Sequence, residues 1–203
     1  FDPLKISEET IWISEEIQNV YALTKHAAEM EVWRGIQEGV SSVIVNPGVV
    51  LGPGFFNSGS GLLFKIIYKG LNYKTEGVTG YVDVKDVAKA TVLLMEHPIS
   101  GQRFVVNGDT WLFQQLQDKI ADGFQKFRPS RKATPLILGI AWRIERIRSL
   151  VTGRKPLLTK ESARVAVSKT VFDNRKLLAL MPQFSYTPLE KTISEACANY
   201  LSR

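Results

Sequence analysis

The sequence holds a single cysteine, Cys197, and only two histidines among its 203 residues. One cysteine cannot form a disulfide within the chain, which is typical of proteins in the reducing cytoplasm. Two histidines and one cysteine supply too few ligands for a typical zinc site. Long apolar runs are lacking as well, since the longest, 42–51 and 135–142, fall far short of the roughly 20 residues of a membrane span. These absences favour a cytoplasmic protein that neither crosses a membrane nor holds a metal.

The formal charge of +6 is concentrated between Lys126 and Arg175. A basic segment can mark nucleic acid, a membrane surface or an anionic substrate as the partner. Here the arginines are spread through an apolar helical pattern and form no block with interleaved aromatic residues, which favours solvated helix faces. No nucleic-acid partner is expected, whereas a phosphorylated substrate stays open.

Helical and strand-like patterns alternate along the chain, which predicts an α/β layer architecture. Residues 1–12 predict a loop. Ser14, followed by two acids, predicts the start of a helix that extends to about Gln37. The β-branched run 42–46, continued to Leu51, is typical of a buried strand of a parallel sheet. The further elements predicted are helices over 62–69, 87–96, 113–127, 135–150, 159–167 and 188–201, and strands over 80–84 and 101–107.

Tyr21 and Lys25 stand at positions i and i+4 of the first predicted helix, so their Cβ atoms lie about 5–6 Å apart on one face. A phenol has a pKa of about 10, and a nearby ammonium favours the phenolate. A tyrosine tuned in this way can give a proton to a developing alkoxide or take one from an alcohol. Tyr81 and Lys85 repeat the spacing around a predicted strand, where four residues span about 13 Å and the pair cannot cooperate. The alternative for Tyr21 is an ordinary position on an amphipathic helix.

Asn46, Pro47 and Gly48 come at the carboxyl end of the predicted buried strand. Ligands of open α/β sheets bind outside such ends. Proline and glycine let the backbone turn sharply there and approach a flat ring closely. The alternative is a plain turn from a strand to a helix.

Three blocks occur in a fixed order: Tyr21-x-x-x-Lys25, the run Asn46 to Gly54, and the run Gly80 to Ala90. In this order they resemble the extended short-chain dehydrogenase/reductases, which include the NAD-dependent epimerase/dehydratases and relatives of dihydroflavonol reductase and 3β-hydroxysteroid dehydrogenase. The segments 159–164 and 172–176 are similar to that family too, so the resemblance covers nearly the whole chain.

The resemblance implies the C-terminal portion of a Rossmann-like doubly wound parallel sheet with a smaller α-rich substrate-binding region. Residues 1–54 would be the C-terminal part of the NAD(P)-binding domain, including the catalytic helix. Residues 55–203 would be mainly substrate-binding, with segments that return to the sheet around 80–108.

The resemblance also implies roles for particular residues. Tyr21 would be the general acid/base, and Lys25 would favour its phenolate and hold the nicotinamide ribose. Backbone groups of Pro47, Gly48 and Val50 would lie near the nicotinamide. Three further side chains are expected at the substrate, namely Asn46, Tyr81 and Asp83, whereas Asp86 is expected to cap a helix.

The implied activity is hydride transfer by an NAD(P)-dependent oxidoreductase or a nucleotide-sugar epimerase/dehydratase acting on a carbonyl or secondary alcohol. The cofactor would be NAD or NADP, and the substrate a nucleotide sugar or a hydroxy ketone. The apolar helix 135–150 leans towards the reductase type. A homodimer through the helix of Tyr21 is also expected.

Two departures from the family pattern leave alternatives open. The family's catalytic serine or threonine would fall before residue 1, because Ser7 and Ser14 are too close to Tyr21. The glycine-rich loop that cradles the cofactor pyrophosphate is absent. We therefore expect a fragment of a longer protein that by itself is marginally stable or associates through an unpaired strand edge. The alternatives are a non-catalytic Rossmann-like binding or regulatory protein, or an inactive truncated product.

Overall fold

The computed structural model describes residues 3–11, 20–153, 156 and 158–203. Strands alternate with helices along most of this part of the chain. The strands are β1 (Leu4–Ile6), β2 (Val43–Pro47), β3 (Val49–Leu51), β4 (Tyr73–Lys74), β5 (Val78–Asp83), β6 (Gln102–Val106), β7 (Asp109–Leu112), β8 (Arg131–Lys132) and β9 (Thr170–Phe172). The helices are α1 (Val20–Gln37), α2 (Gly61–Tyr68), α3 (Val84–Glu96), α4 (Phe113–Gly123), α5 (Pro135–Thr152), α6 (Lys160–Val165), α7 (Arg175–Leu180) and α8 (Leu189–Leu201).

The buried strand predicted from Ser42 to Leu51 is divided in two at Gly48. Its first half, β2, pairs in parallel with β6, from Val43 beside Gln102 to Pro47 beside Val106. Its second half, β3, pairs in parallel with β5, and β5 pairs antiparallel with β7. One continuous run of sequence therefore leaves one sheet and enters another within a single residue.

Close packing explains why glycine stands at this division. A Cβ atom on Gly48 would lie 2.6 Å from Asn107 Oδ1 and 2.9 Å from the carbonyl oxygen of Gly80. A Cβ atom on Gly80 would lie only 1.9 Å from the same Asn107 oxygen. The turn between β2 and β3 thus sits directly on the backbone of β5 and on the buried amide of Asn107.

Strand β5 separates two hydrophobic cores because successive side chains of a strand point to opposite faces. Tyr81 belongs to the core formed with α2, α4 and α8, whereas Val82 belongs to the core formed with α3, β6 and α7. The largest fully buried side chains come from both, and they include Phe64, Ile67, Leu116 and Ile120 on one side and Leu94, Phe104, Val106 and Leu177 on the other.

Two expectations from the sequence were wrong in detail. The predicted loop at the start of the chain contains β1, which pairs in parallel with β9. The cap of α3 is Asp83, which accepts a hydrogen bond from Lys85 N at 2.6 Å, so the helix begins at Val84, three residues before the predicted Val87. Asp86 instead accepts bonds from Thr187 N and Oγ1, at 2.6 and 3.0 Å, and fixes the chain ahead of α8.

Most other boundaries agree within two residues with the expected elements, but α4 ends at Gly123, four residues before its predicted end, and α7 was not predicted. Thr159 caps α6 through a reciprocal capping box with Ser162, as the threonine at that position predicts. The predicted helix start at Ser14 lies outside the described residues, and α1 is described from Val20 onward. None of the helices in the described ranges has the length and apolar content of a membrane span.

Candidate active site

Tyr21 and Lys25 lie one turn apart near the beginning of α1, as predicted. Both side chains are exposed, and 70% of the Tyr21 surface is open to solvent. No residue of α1 is fully buried within the described part of the chain. The pair is therefore accessible from outside, while the roles assigned to it stay predictions.

Glu29 anchors α1 to the sheet. It accepts hydrogen bonds from Asn46 Nδ2 at 3.1 Å, Trp33 Nε1 at 3.3 Å and Arg103 Nη1 at 3.2 Å. Burial raises the pKa of the Glu29 carboxyl, but these three donors outweigh it and hold the pKa below its usual value. The carboxylate thus stays charged at neutral pH and joins α1 to the end of β2 and to β6.

This contact fixes the side of α1 on which Tyr21 and Lys25 lie. Glu29 follows Lys25 by four residues, and Lys25 follows Tyr21 by four, so the three side chains share one side of α1. Since Glu29 contacts Asn46, that side of the helix runs along the carboxyl end of β2. The structure thus places Glu29, two turns after Tyr21, against Asn46; a single site formed by Tyr21, Lys25 and the Asn46–Gly48 turn stays a prediction.

The residues of the turn differ in what they can offer. The Asn46 amide donates to Glu29, and its Oδ1 is buried without a hydrogen-bond partner among the described residues. Pro47 is exposed at the end of β2. Gly48 N donates to Val106 O at 3.0 Å, and Val50 O accepts from Ser60 Oγ. Pro47 is therefore the most exposed of the three residues expected near a nicotinamide.

Tyr81 lies at the second candidate region, beyond the turn. Its side chain is 1% exposed and lines a cavity of about 190 Å³, together with Val49 and Leu51 of β3. The phenol oxygen has no hydrogen-bond partner among the described residues, and burial raises its pKa. The phenol oxygen of Tyr81 is itself buried, and the predicted contact of Tyr81 with substrate stays a prediction.

Asp83 is held by the protein itself. Its Oδ1 accepts from Lys85 N and its Oδ2 accepts from Thr192 Oγ1, both at 2.6 Å. The side chain is 1% exposed and does not line the cavity of Tyr81. Asp83 therefore caps α3 and binds α8 through these contacts. Its predicted contact with substrate has no support from this geometry.

The second Tyr-x-x-x-Lys spacing is divided between two elements. Tyr81 belongs to β5, whereas Lys85 is in the first turn of α3 and binds Glu195 Oε2 at 2.5 Å. The expectation that this pair cannot work like a helical pair is confirmed.

A wide groove of about 890 Å³ lies at the other end of β6, between α1 and α7. Its cations are Arg103, Arg175 and Lys176, but each already has a partner. Arg103 also donates to the carbonyl oxygens of Glu8 and Thr10, and Lys176 donates to Arg103 O. Arg175 binds Asp173 and lowers the pKa of that carboxyl to about 2. The groove therefore has no surplus of positive charge among its described lining residues.

Two residues that hold α1 against the sheet were not predicted from the sequence. Glu29 and Arg103 orient α1, yet they are far apart in the chain and neither stands in a recognisable motif. Only the spacing of Glu29 from Lys25 could have drawn attention to it. Within the described ranges, no three metal-ligating side chains come together to form a metal site.

The sequence pattern of the NAD dependent epimerase/dehydratase family matches residues 2–107 of the chain. Cinnamoyl-CoA reductase 1 of Petunia hybrida is 35% identical over 112 residues, a match that covers 51% of this chain and 34% of that protein. A nucleoside-diphosphate-sugar epimerase from Pseudomonas aeruginosa has a TM-score of 0.77 at 20% identity, covering 98% of this chain and 61% of that structure.

Gre2 from Candida albicans, solved in complex with NADPH, has a TM-score of 0.66 at 22% identity and covers 98% of this chain and 58% of that structure. The likeness to these solved structures confirms the Rossmann-like α/β fold. The chain spans less than two thirds of the length of each of the three proteins.

Proposed function

Because this chain belongs to the NAD dependent epimerase/dehydratase family, we propose that the protein carrying it transfers hydride between NAD or NADP and the carbon of a carbonyl or secondary alcohol. The observation that supports this most directly is the placement of Tyr21 and Lys25. They form an exposed pair on α1, inside the matched region, on the side of the helix that Glu29 ties to Asn46.

Tyr21 is the acid/base of the proposed reaction. In the reducing direction, its Oη gives a proton to the carbonyl oxygen as that oxygen becomes an alkoxide. In the oxidising direction, it removes the proton of the alcohol. The ammonium of Lys25, one turn further along α1, stabilises the phenolate that is left. The same exchange serves reduction, epimerisation and dehydration.

The donor set fits a nicotinamide cofactor. A phenol and an ammonium on one helix face offer hydrogen bonds to ribose hydroxyls, and Pro47 is exposed at the end of β2. When bound, the cofactor supplies or accepts the hydride. Buried tyrosines suit the acid/base role less well, because burial raises the pKa of Tyr81 and that of Tyr186, the latter to about 12.

The test compares the gene product that contains this chain with its Tyr21→Phe and Lys25→Met variants. Oxidation of NADH or NADPH is followed with a panel of ketones and nucleotide sugars. Tyr21→Phe should lose roughly 10²- to 10⁴-fold in kcat, the usual contribution of general acid/base catalysis, while it still binds the cofactor. Tyr73→Phe, which alters a surface tyrosine of β4, is the matched control and should keep full activity.

Two results would contradict the proposal. Equal turnover by Tyr21→Phe and the parent would remove Tyr21 from the chemistry. A parent that folds but binds neither NAD nor NADP would favour the alternative of a non-catalytic binding protein on the same fold.

The homodimer through α1, the cytoplasmic location and the division into regions 1–54 and 55–203 are part of the proposal. The exposed apolar residues of α1, including Val20, Leu23, Met30 and Val32, support a partner on this helix. Light scattering of the purified protein should give twice the monomer mass, and Leu23→Glu should reduce it to the monomer.

A further inference from the structure

Helix α5 presents a row of apolar side chains to the outside of the molecule. None of its residues is fully buried within the described part of the chain, and it packs mainly against α6. Six of its large apolar side chains are more than half exposed, and together they are called the α5 stripe: Leu136, Ile140, Ile144, Ile147, Leu150 and Val151. They recur at intervals of three and four residues, so they form one continuous face of the helix.

The other side of α5 carries an ion pair. Arg148 Nη2 binds Glu145 Oε2 at 2.8 Å, and the side chain of Glu145 is only 21% exposed. Trp142, on the same side, is partly buried. A surface helix of a globular protein normally turns its apolar side chains inward and its charged ones outward. In α5 this arrangement is reversed, and a continuous exposed apolar surface of this kind marks a place of contact with a partner.

The α5 stripe lies within the most basic part of the chain. Residues 126–164 contain eleven lysines and arginines but only two glutamates, a net charge of +9, whereas the whole chain carries +6. Arg143 and Arg146 are exposed on α5, and Lys160 and Arg164 are exposed on the neighbouring α6. These cations are solvated, as the sequence predicts for this segment, but the surface between them is apolar.

Charge distinguishes the possible partners of this surface. A second copy seated on the α5 stripe would bring two strongly basic segments together, and their repulsion opposes such a contact. A surface of negative charge is complementary to them. The helix has 18 residues and is about 27 Å long, yet it is not long and apolar enough to cross a membrane. Basic helices with one apolar face lie along the boundary between a membrane and water.

We propose that α5 docks the protein on the surface of a membrane that contains anionic phospholipid. The α5 stripe enters the boundary between headgroups and acyl chains, and the axis of the helix lies parallel to the membrane plane. Arg143 and Arg146, with the cations of α6, bind the phosphate groups of the lipids around it. This docking goes beyond the proposed hydride transfer and does not depend on it.

The test follows co-sedimentation of the gene product that contains this chain with lipid vesicles. Vesicles of phosphatidylglycerol and phosphatidylcholine in equal parts should bind it roughly tenfold more tightly than vesicles of phosphatidylcholine alone, because only the former attract the basic segment. Raising the salt from about 0.1 M to about 1 M should weaken this binding, since the screening length falls from about 10 Å to about 3 Å. A gene product that binds neither kind of vesicle would overturn the proposal.

A double substitution in the middle of the α5 stripe tests which surface binds. Ile144→Glu/Ile147→Glu should weaken binding to the anionic vesicles by roughly tenfold or more, because two carboxylates replace apolar contacts with the acyl chains. Val92→Glu/Met95→Glu is the matched control and should bind like the parent. Val92 and Met95 are also exposed and three residues apart, but they belong to α3. Equal losses in the two double variants would overturn the assignment to α5.

Arg143→Gln/Arg146→Gln separates the charge from the apolar contact. This variant should bind the anionic vesicles severalfold more weakly and with less dependence on salt, while its binding to phosphatidylcholine stays unchanged. Unchanged binding to the anionic vesicles would remove these two arginines from the contact with phosphate.

Melting temperature and light scattering distinguish the other occupants. Because the α5 stripe faces solvent, Ile144→Glu/Ile147→Glu should keep the melting temperature and the mass of the parent. A lower melting temperature, in a gene product that binds no vesicles, would show that another part of that protein covers the stripe. A smaller mass of this double variant would show that a second copy covers it. Either result would overturn the proposal.

Discussion

Replacing Gly80 by alanine should strain the junction of the two sheets. The added Cβ would lie 1.9 Å from Asn107 Oδ1, 2.6 Å from Asn107 Cγ and 2.7 Å from Phe172 Cδ2. The backbone of Gly80 is not in the left-handed region, so the methyl group alone causes the problem. Asn107 is 2% exposed and cannot swing into solvent.

Overpacking a well-packed interior costs about 1–3 kcal/mol, and contacts this short place Gly80→Ala at the upper end, about 3 kcal/mol. Urea unfolding followed by tryptophan fluorescence would measure the loss as a lower midpoint with an unchanged slope. Gly35→Ala is the matched control. Its Cβ would meet nothing closer than 3.8 Å, and inside α1 it should stabilise the protein by about 0.5–1 kcal/mol.

A double substitution checks the cause. Asn107→Ala removes both of the closest atoms, so it should recover at least about 1 kcal/mol of the loss in Gly80→Ala. It should recover less in Gly48→Ala, because the contact that remains there is with the backbone oxygen of Gly80 at 2.9 Å, whereas the contact that remains in Gly80→Ala, at 2.7 Å, is with the side chain of Phe172, which can shift more easily. A Gly80→Ala variant with the parent's midpoint, or one that Asn107→Ala fails to rescue, would refute the reasoning.

Three further predictions concern ionisation and buried contacts. Glu29→Gln should lose about 2 kcal/mol of stability at pH 7, the value of hydrogen bonds to a charged group. Because the folded-state pKa of Glu29 is lowered, this contribution is complete above its ordinary pKa of 4.5 and disappears as the pH falls through the folded value. Urea titrations at several pH values should show that the stabilities of the parent and of Glu29→Gln converge in acid. Glu31→Gln, on the exposed face of α1, is the control and should change neither the stability at pH 7 nor its pH dependence. The thiol of Cys197, whose pKa burial raises to about 12, should react with a disulfide reagent at pH 8 about a thousandfold more slowly in the native than in the denatured protein; equal rates would contradict its burial. Thr192→Val should cost about 1–3 kcal/mol, because the buried carboxylate of Asp83 loses one donor, and an unchanged melting temperature would contradict that contact.

Local signals in the sequence were sufficient wherever a structure depends on neighbouring residues. The threonine at position 159 predicted the start of α6, and the four-residue spacing of Tyr21 and Lys25 predicted that they share one face of α1. The choice between Asp83 and Asp86 as the cap of α3 shows the limit of such signals. Both residues suit a cap, and in the structure Asp86 binds distant Thr187 while Asp83 caps the helix and also binds distant Thr192.

The division at Gly48 could not be predicted from its neighbourhood. The β-branched residues run on through Val49 and Val50 as one strand, and what splits them is contact with Gly80 and Asn107. The same holds for the tie between Glu29 and Arg103, which joins residues with no shared motif. Tertiary contacts of this kind leave no periodic trace in the sequence.

The outer edge of β6 is closed by two side chains of opposite charge. The Val105 N–H, which points away from β2, donates to Glu8 Oε1 at 2.8 Å, and Arg103 O accepts from Lys176 Nζ at 3.1 Å. A free strand edge is a template for pairing with another molecule. Here an approaching strand would first have to displace a carboxylate and an ammonium from the groups it needs. We expect these two side chains to hinder self-association of the protein through this strand edge. Loss of Glu8 or Lys176 should therefore lower solubility before it affects other properties.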